Sequence, residues 1–495
     1  MAYKLMIQGT MSSAGKSFIV TGLCRLFSDL GYKVAPFKSQ NMALNSGVTF
    51  DGYEMGRAQI VQAEAARTIP DVRMNPVLLK PNSDVGSQVI VMGKPIGNMY
   101  AKEYYDYKKN LVSVIKDAFY SLEKEYDIII VEGAGSPAEI NLKENDIVNM
   151  GLAKMLDIPV LLVGDIDLGG VFAQLLGTLE WLDEDEKNRI KGLIINKFRG
   201  DASLLTPGIK MLEDRTKKKV ISVVPYCKAN IDEEDSVTVD ISKVESKNNT
   251  ENNSIKIDVI RLPHMSNFTD FTPLKRVPFV SLNYIENIPE SKPDLLIIPG
   301  TKNTISDLNW LKESGLSDFV LSCKNEIPIM GICGGNQILG KKILDPEEIE
   351  GGKEADGLSL INQITTLKKE KILTKSFGNI KCEKGFFSCL NGAYYDGYEI
   401  HSGVTRKEED DSSIDVFGTY IHGIFDKSTV TKALLNALLE KKKNINNDDY
   451  NKFKEMINQI EDYADAKDKE YDIAAKAIRE SMDLDELLRI MKIQK

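Results

Sequence analysis

Short, uninterrupted runs of aliphatic residues recur along this chain with helical stretches between them, and that recurrence limits the fold more than any other feature. KLMIQG (4–9), KVAPFK (33–38), DIIIVEG (127–133), PVLLVGD (159–165), GLIINK (192–197) and KVISVV (219–224) are apolar at consecutive rather than alternating positions. Strands of that kind are buried on both faces, as in a parallel sheet covered by helices. After the first run, Phe18, Ile19, Leu23, Leu26, Phe27 and Leu30 fall on one side of a helix that Gly31 stops. The expected class is α/β.

The pattern stops and restarts. DISKVESKNNTENNS (240–254) has almost no large apolar side chain, and strand-like runs resume with IKIDVI (255–260), DLLIIPG (294–300), IPIMGIC (327–333) and VFGTYIH (416–422). With 495 residues the chain exceeds what one hydrophobic core serves, so two domains are expected. Their predicted extents are 1–240 and 255–440, joined by a linker at 241–254, with 441–495 a helical tail packed on the second domain.

Composition excludes several functions. A net charge of −10 argues against a nucleic-acid-binding surface. Six cysteines without CxxC spacing exclude a disulfide scaffold or zinc ribbon, and three histidines leave little for a histidine metal site. No targeting pattern opens the chain, and no apolar run approaches the ~20 residues that span a bilayer. A cytoplasmic setting is expected, with no membrane partner.

GTMSSAGKS (9–17) lies between the first strand and the first helix. Its small residues, Gly9, Thr10, Ser13, Ala14 and Gly15 among them, let backbone N–H groups face a phosphate at the start of a helix. Lys16 would reach the outer phosphates and the Ser17 hydroxyl would bind magnesium. Five residues separate Gly9 from Gly15, one more than in the commonest phosphate loop. Glu132 ends another predicted strand, where a carboxylate can complete magnesium coordination. Asp165 and Asp167 are weaker candidates for the same cluster.

IPIMGICGGNQILG runs from a strand through Gly331, Cys333, Gly334 and Gly335 into a helix. Glycines around a nucleophile permit the strained turn that lifts it from the sheet, and the helix start favours the reactive thiolate. Cys24, Cys227, Cys323, Cys382 and Cys389 lack that frame. Of the three histidines, His422 in GTYIHGIF is the first choice as general base; His401 in GYEIHSG is second, and His264 reads as structural.

These segments together resemble the cobyric acid synthases, glutamine-hydrolysing amidases of cobalamin biosynthesis. The similarity runs in order through GTMSSAGKS, PFKSQNMALNS, EMGRAQIVQAEAA, MNPVLLKP, VEGAGSPAEINL, DIVNMGLA, GLIINKFRGD, LPHMSNFTDF, IIPGTKNTISDL, GICGGNQILG, GYEIHSG and GTYIHGIFD. The resemblance implies a first domain like dethiobiotin synthetase, which shares the longer phosphate loop, and a second like triad-type (class I) glutamine amidotransferases. It further implies ATP, magnesium, glutamine and adenosylcobyrinic acid a,c-diamide as ligands, with four carboxylates converted to carboxamides. By position it assigns Cys333 as nucleophile, His422 as its base, Gln337 to glutamine binding, N–H groups near Gly300 and Gly334 to the oxyanion, and Asn196 to base recognition. PFKSQNM (36–42) is expected to face substrate or nucleotide.

Three positions depart from the pattern. Ile424 stands where many triad amidotransferases carry glutamate, so a Cys–His pair without an orienting acid is expected. Asn336 replaces an aromatic residue, and Leu168 an arginine. The nearest rival is the a,c-diamide synthase of the same pathway; the other is a non-enzymatic nucleotide switch with an inert amidotransferase module.

Overall fold

In the computed structural model, which describes residues 2–81, 86–232, 254–351, 354–408, 415–442 and 445–494, the consecutive apolar runs become central strands. Six of them form one parallel sheet in the order Val220–Pro225, Ile190–Phe198, Val160–Asp165, Tyr3–Gly9, Ile128–Glu132, Val34–Phe37. The sequence order reverses at Tyr3–Gly9. In such a sheet the crevice beyond the carboxyl ends at the reversal is where ligands bind, and the phosphate loop leaves from this strand.

Chain contacts divide the molecule into two compact units. The first gathers the described residues of Met1–Ala43, Glu54–Glu234 and Lys467–Lys495. The second gathers those of Leu44–Tyr53 and Asp235–Ala466. Two segments therefore differ from the sequence expectation. The carboxyl-terminal part of the supposed tail belongs to the first unit, not the second. A ten-residue stretch inside the first domain's sequence belongs to the second unit. The expected linker lies outside the described residues, apart from Ser254.

The tail's placement follows from its apolar face. Ala475, Ile478, Met482, Leu487, Ile490, Met491 and Ile493 share one core with Leu5, Ile7, Ile19, Leu23 and Leu26. The helix Lys16–Asp29 is covered from both sides in consequence, and even Arg25 is buried, its Nε donating to Asp472 at 2.8 Å. Gly22 marks the closest approach of the tail helix Tyr463–Ser481. A Cβ there would sit 2.6 Å from Ile478 Cγ1 and 3.1 Å from the Ala474 carbonyl oxygen.

The second unit carries a five-stranded parallel sheet in the order Val280–Ile285, Ile255–Ile260, Leu295–Ile298, Ile329–Ile332, Val416–Thr419. A mixed sheet joins Gln363–Asn379 and Tyr394–Lys407 to the short strand Ile421–His422. Among the described residues no helix is long and apolar enough to cross a membrane.

Candidate active site

In the first unit the phosphate loop turns sharply at Gly15, where φ is +92°. Only glycine adopts that conformation readily, and a Cβ would lie 2.1 Å from Asn196 Nδ2. The Lys16 ammonium is drawn into the loop, donating to the carbonyls of Met11 (3.0 Å), Ser12 (3.2 Å) and Gly135 (3.1 Å). Ser17 Oγ donates to Glu132 Oε1 at 3.0 Å. A hydroxyl beside a carboxylate is the hard oxygen pair that magnesium takes when phosphate and water complete its shell, so the donor set fits that ion.

Glu132 has partners that sequence spacing did not reveal. Lys38 Nζ donates to its Oε1 at 3.0 Å, and Gln62 Nε2 donates to its Oε2. Lys38 comes from PFKSQNM, expected to face substrate or nucleotide, and Gln62 from the buried helix Arg57–Ala65, whose segment carried no assigned role. Their only sequence signal is compositional: glutamines on a buried helix need polar partners. Asp165 and Asp167 do not join this cluster. Asp165 pairs instead with Lys197 at 2.7 Å and Asp167 with Arg199 at 2.8 Å. Arg199 thus brings a guanidinium to the loop where Leu168, itself exposed, brings none. Asn196 donates its amide to the Ala14 carbonyl at 2.9 Å, and Thr10 Oγ1 donates to Gln174 at 3.3 Å. Lys197 reaches the Ser13 carbonyl at 2.8 Å.

In the second unit Cys333 follows the strand Ile329–Ile332 and caps the helix Gly334–Leu339. Its φ of 52° and ψ of −108° are strained for a residue with a Cβ. The amide of Cys333 is tied to the Thr419 carbonyl at 2.7 Å, which holds the elbow in place. Its sulfur faces the Ile400 carbonyl at 3.4 Å and favours the charged form of His422. Gly334 and Gly300 are neighbours of the same centre. A Cβ on Gly334 would be 3.0 Å from the Thr301 nitrogen, and one on Gly300 would be 3.1 Å from His422 Cε1.

The expected lack of an orienting acid is corrected here. Asp270 Oδ2 sits 2.7 Å from His422 Nδ1, and its Oδ1 accepts the Gly423 amide at 2.9 Å. The acid comes from the short helix Phe268–Phe271 rather than from the strand that bears the histidine. Position 424 is free to be apolar because Ile424 points into the core. Burial works against a charged His422, but Asp270 and then Cys333 outweigh it, and the imidazole is raised to about 10. The arrangement places a thiol, an imidazole and a buried carboxylate in sequence, the geometry that nucleophilic catalysis requires.

The remaining predicted residues fall nearby or apart. Gln337 accepts from Thr304 Oγ1 at 3.1 Å and donates toward the Tyr420 hydroxyl at 3.4 Å. His401 stacks on that Tyr420 ring at 3.8 Å and contacts the Gly403 carbonyl (2.8 Å) and Glu399 (3.2 Å). His264 is bound to Asp307 at 2.7 Å. Asn336 is buried and accepts from Gln363 at 2.9 Å, so an amide pair fills the place of the aromatic residue. Burial pushes the Cys24, Cys323, Cys382 and Cys389 thiols up, away from the thiolate form.

Fold and site define a phosphate-loop nucleotide-binding unit joined to a triad-type glutamine amidotransferase. Residues 5–238 match the family described as CobQ/CobB/MinD/ParA nucleotide binding domain, and 256–430 the CobB/CobQ-like glutamine amidotransferase domain. The chain is 49% identical to a cobyric acid synthase of Lachnoclostridium phytofermentans, with 99% of each chain covered. It is 48% identical to one of Ruminiclostridium cellulolyticum (99% of this chain, 98% of the other). A third, from Yersinia enterocolitica, is 46% identical over 99% of this chain and 98% of its own. The chain belongs to the cobyric acid synthase family.

Proposed function

We propose that this chain amidates the b, d, e and g carboxylates of adenosylcobyrinic acid a,c-diamide to give adenosylcobyric acid, using ATP and glutamine-derived ammonia in the cytoplasm. The observation that carries this reading is the pairing, in one chain, of the Cys333–His422–Asp270 triad with the Lys16–Ser17–Glu132 cluster.

A carboxylate is a poor electrophile, so it must first become an acyl phosphate. Lys16 leaves the loop carbonyls and meets the charge that spreads over the transferring phosphoryl group. Ser17 and Glu132 would hold magnesium, which when bound would neutralise the phosphates. At the other centre the Cys333 thiolate attacks the glutamine amide carbon, and N–H groups near Gly300 and Gly334 stabilise the oxyanion. His422 gives its proton to the departing ammonia, leaving a thioester. It then takes a proton from the water that hydrolyses this thioester to glutamate. Gln337 binds the glutamine substrate, and Asn196 borders the nucleotide.

Incubation with ATP, magnesium, glutamine and cobyrinic acid a,c-diamide should give four successive mass shifts from carboxylate to carboxamide. Cys333→Ser should abolish this with glutamine and retain it with high ammonia. No conversion of the diamide would exclude the reading.

A further inference from the structure

The stretch Leu44–Tyr53 interrupts the sequence of the phosphate-loop unit, yet it folds within the amidotransferase unit. Its seat is on the supports of the triad. Tyr398 donates its hydroxyl to the Ser46 carbonyl at 3.0 Å, and the same ring stacks on His422 with centroids 5.5 Å apart and 23° between planes. Val48 packs against Tyr398 and Ile400, and it is the Ile400 carbonyl that faces the Cys333 sulfur. The Ser46 amide points at Asn267 Oδ1 at 3.5 Å, and Asn267, with φ of 54°, begins the turn that carries Asp270.

The seat is also incomplete. Asn45 is buried, and neither atom of its amide has a hydrogen-bond partner among the described residues. A buried amide without partners costs free energy that a rearrangement can recover, so this contact is poised rather than locked. In sequence the stretch lies between Lys38 and Gln62, the two residues that donate to Glu132.

Resting on the function proposed above, we infer that the 44–53 segment is a positioning element of the glutaminase. It holds Tyr398 against His422, and it ties ammonia release to the state of Glu132 through the covalent segments 38–43 and 54–62. Release of Lys38 or Gln62 from Glu132 acts on the segment's two ends, and the segment in turn acts on the ring behind the base. Glutamine is then hydrolysed when the phosphate-loop site is engaged and spared when it is not.

The test uses the full chain and follows glutamate release with and without ATP, magnesium and cobyrinic acid a,c-diamide. Tyr398→Phe removes the hydroxyl and keeps the ring on His422; Val48→Ala thins the packing on Tyr398 and Ile400 and keeps the hydroxyl bond to the Ser46 carbonyl. In both, the ratio of stimulated to basal rate should fall toward one. The stimulated kcat should drop roughly tenfold, the equivalent of one hydrogen bond. KM for glutamine should hold, and synthesis from ammonia should persist, a split that a loosened fold would not give. A ratio unchanged in both variants overturns the inference. So does a wild type whose glutaminase is indifferent to the other substrates, though amidation itself would stand. A wild type that forms no carboxamide overturns both.

Discussion

Asp270 precedes His422 by 152 residues, and no spacing rule connects them. The carboxylate fixes which imidazole nitrogen faces the sulfur and stabilises the imidazolium. Asp270→Asn should therefore lower glutaminase kcat by about 10²–10⁴, as loss of an orienting acid does elsewhere, with ammonia-driven synthesis intact. The pH profile should move as well. His422 is raised from 6.5 to about 10 because Asp270 and Cys333 outweigh burial. Below 6.5 the imidazole is protonated whether folded or unfolded, and the pair's stabilisation is complete. That stabilisation, and the proton for the departing ammonia, are lost as pH rises through about 10. Rates across pH 6–11 should show an alkaline limb that shifts to lower pH in Asp270→Asn. Cys333 and His422 were readable in sequence as candidates because glycines frame the one and histidines are few. The acid was not, because a lone Asp in LPHMSNFTDF looks like any turn residue.

Helix packing gives a contrast that propensity alone would misjudge. Alanine in place of a helical glycine is ordinarily favourable by about 1 kcal/mol. At Gly22, however, the new methyl would meet Ile478 Cγ1 at 2.6 Å and the Ala474 carbonyl at 3.1 Å. Gly22→Ala should instead destabilise by about 1–3 kcal/mol, the usual cost of overpacking a tight core, read as a lower urea midpoint with unchanged slope. The strands themselves were legible residue by residue, since double-sided burial writes itself as consecutive aliphatic positions. The amphipathic face of the last helices was legible too, but not which sheet it covers, because any apolar surface of the right shape would serve.

For the whole molecule, the linear domain plan holds only in outline. A fragment ending at residue 240 lacks the cover that Ile478, Met482, Leu487 and Ile490 give to the helix Lys16–Asp29. Such a fragment should bind a hydrophobic dye and melt at lower temperature than the same fragment with a 463–495 peptide added, because the uncovered core face is a continuous apolar patch. Sequence alone determined the α/β class, the phosphate loop, the thiol elbow and the family. Each of these is written in neighbouring residues, where chain geometry makes spacing equivalent to position. Tertiary structure alone decided that Asp270 stands behind His422, that Lys38 and Gln62 hold Glu132, that residues 44–53 seat against Tyr398, and that the last helices close the first unit. Those pairings join residues far apart in the chain, and packing together with the need to satisfy buried charge selects them.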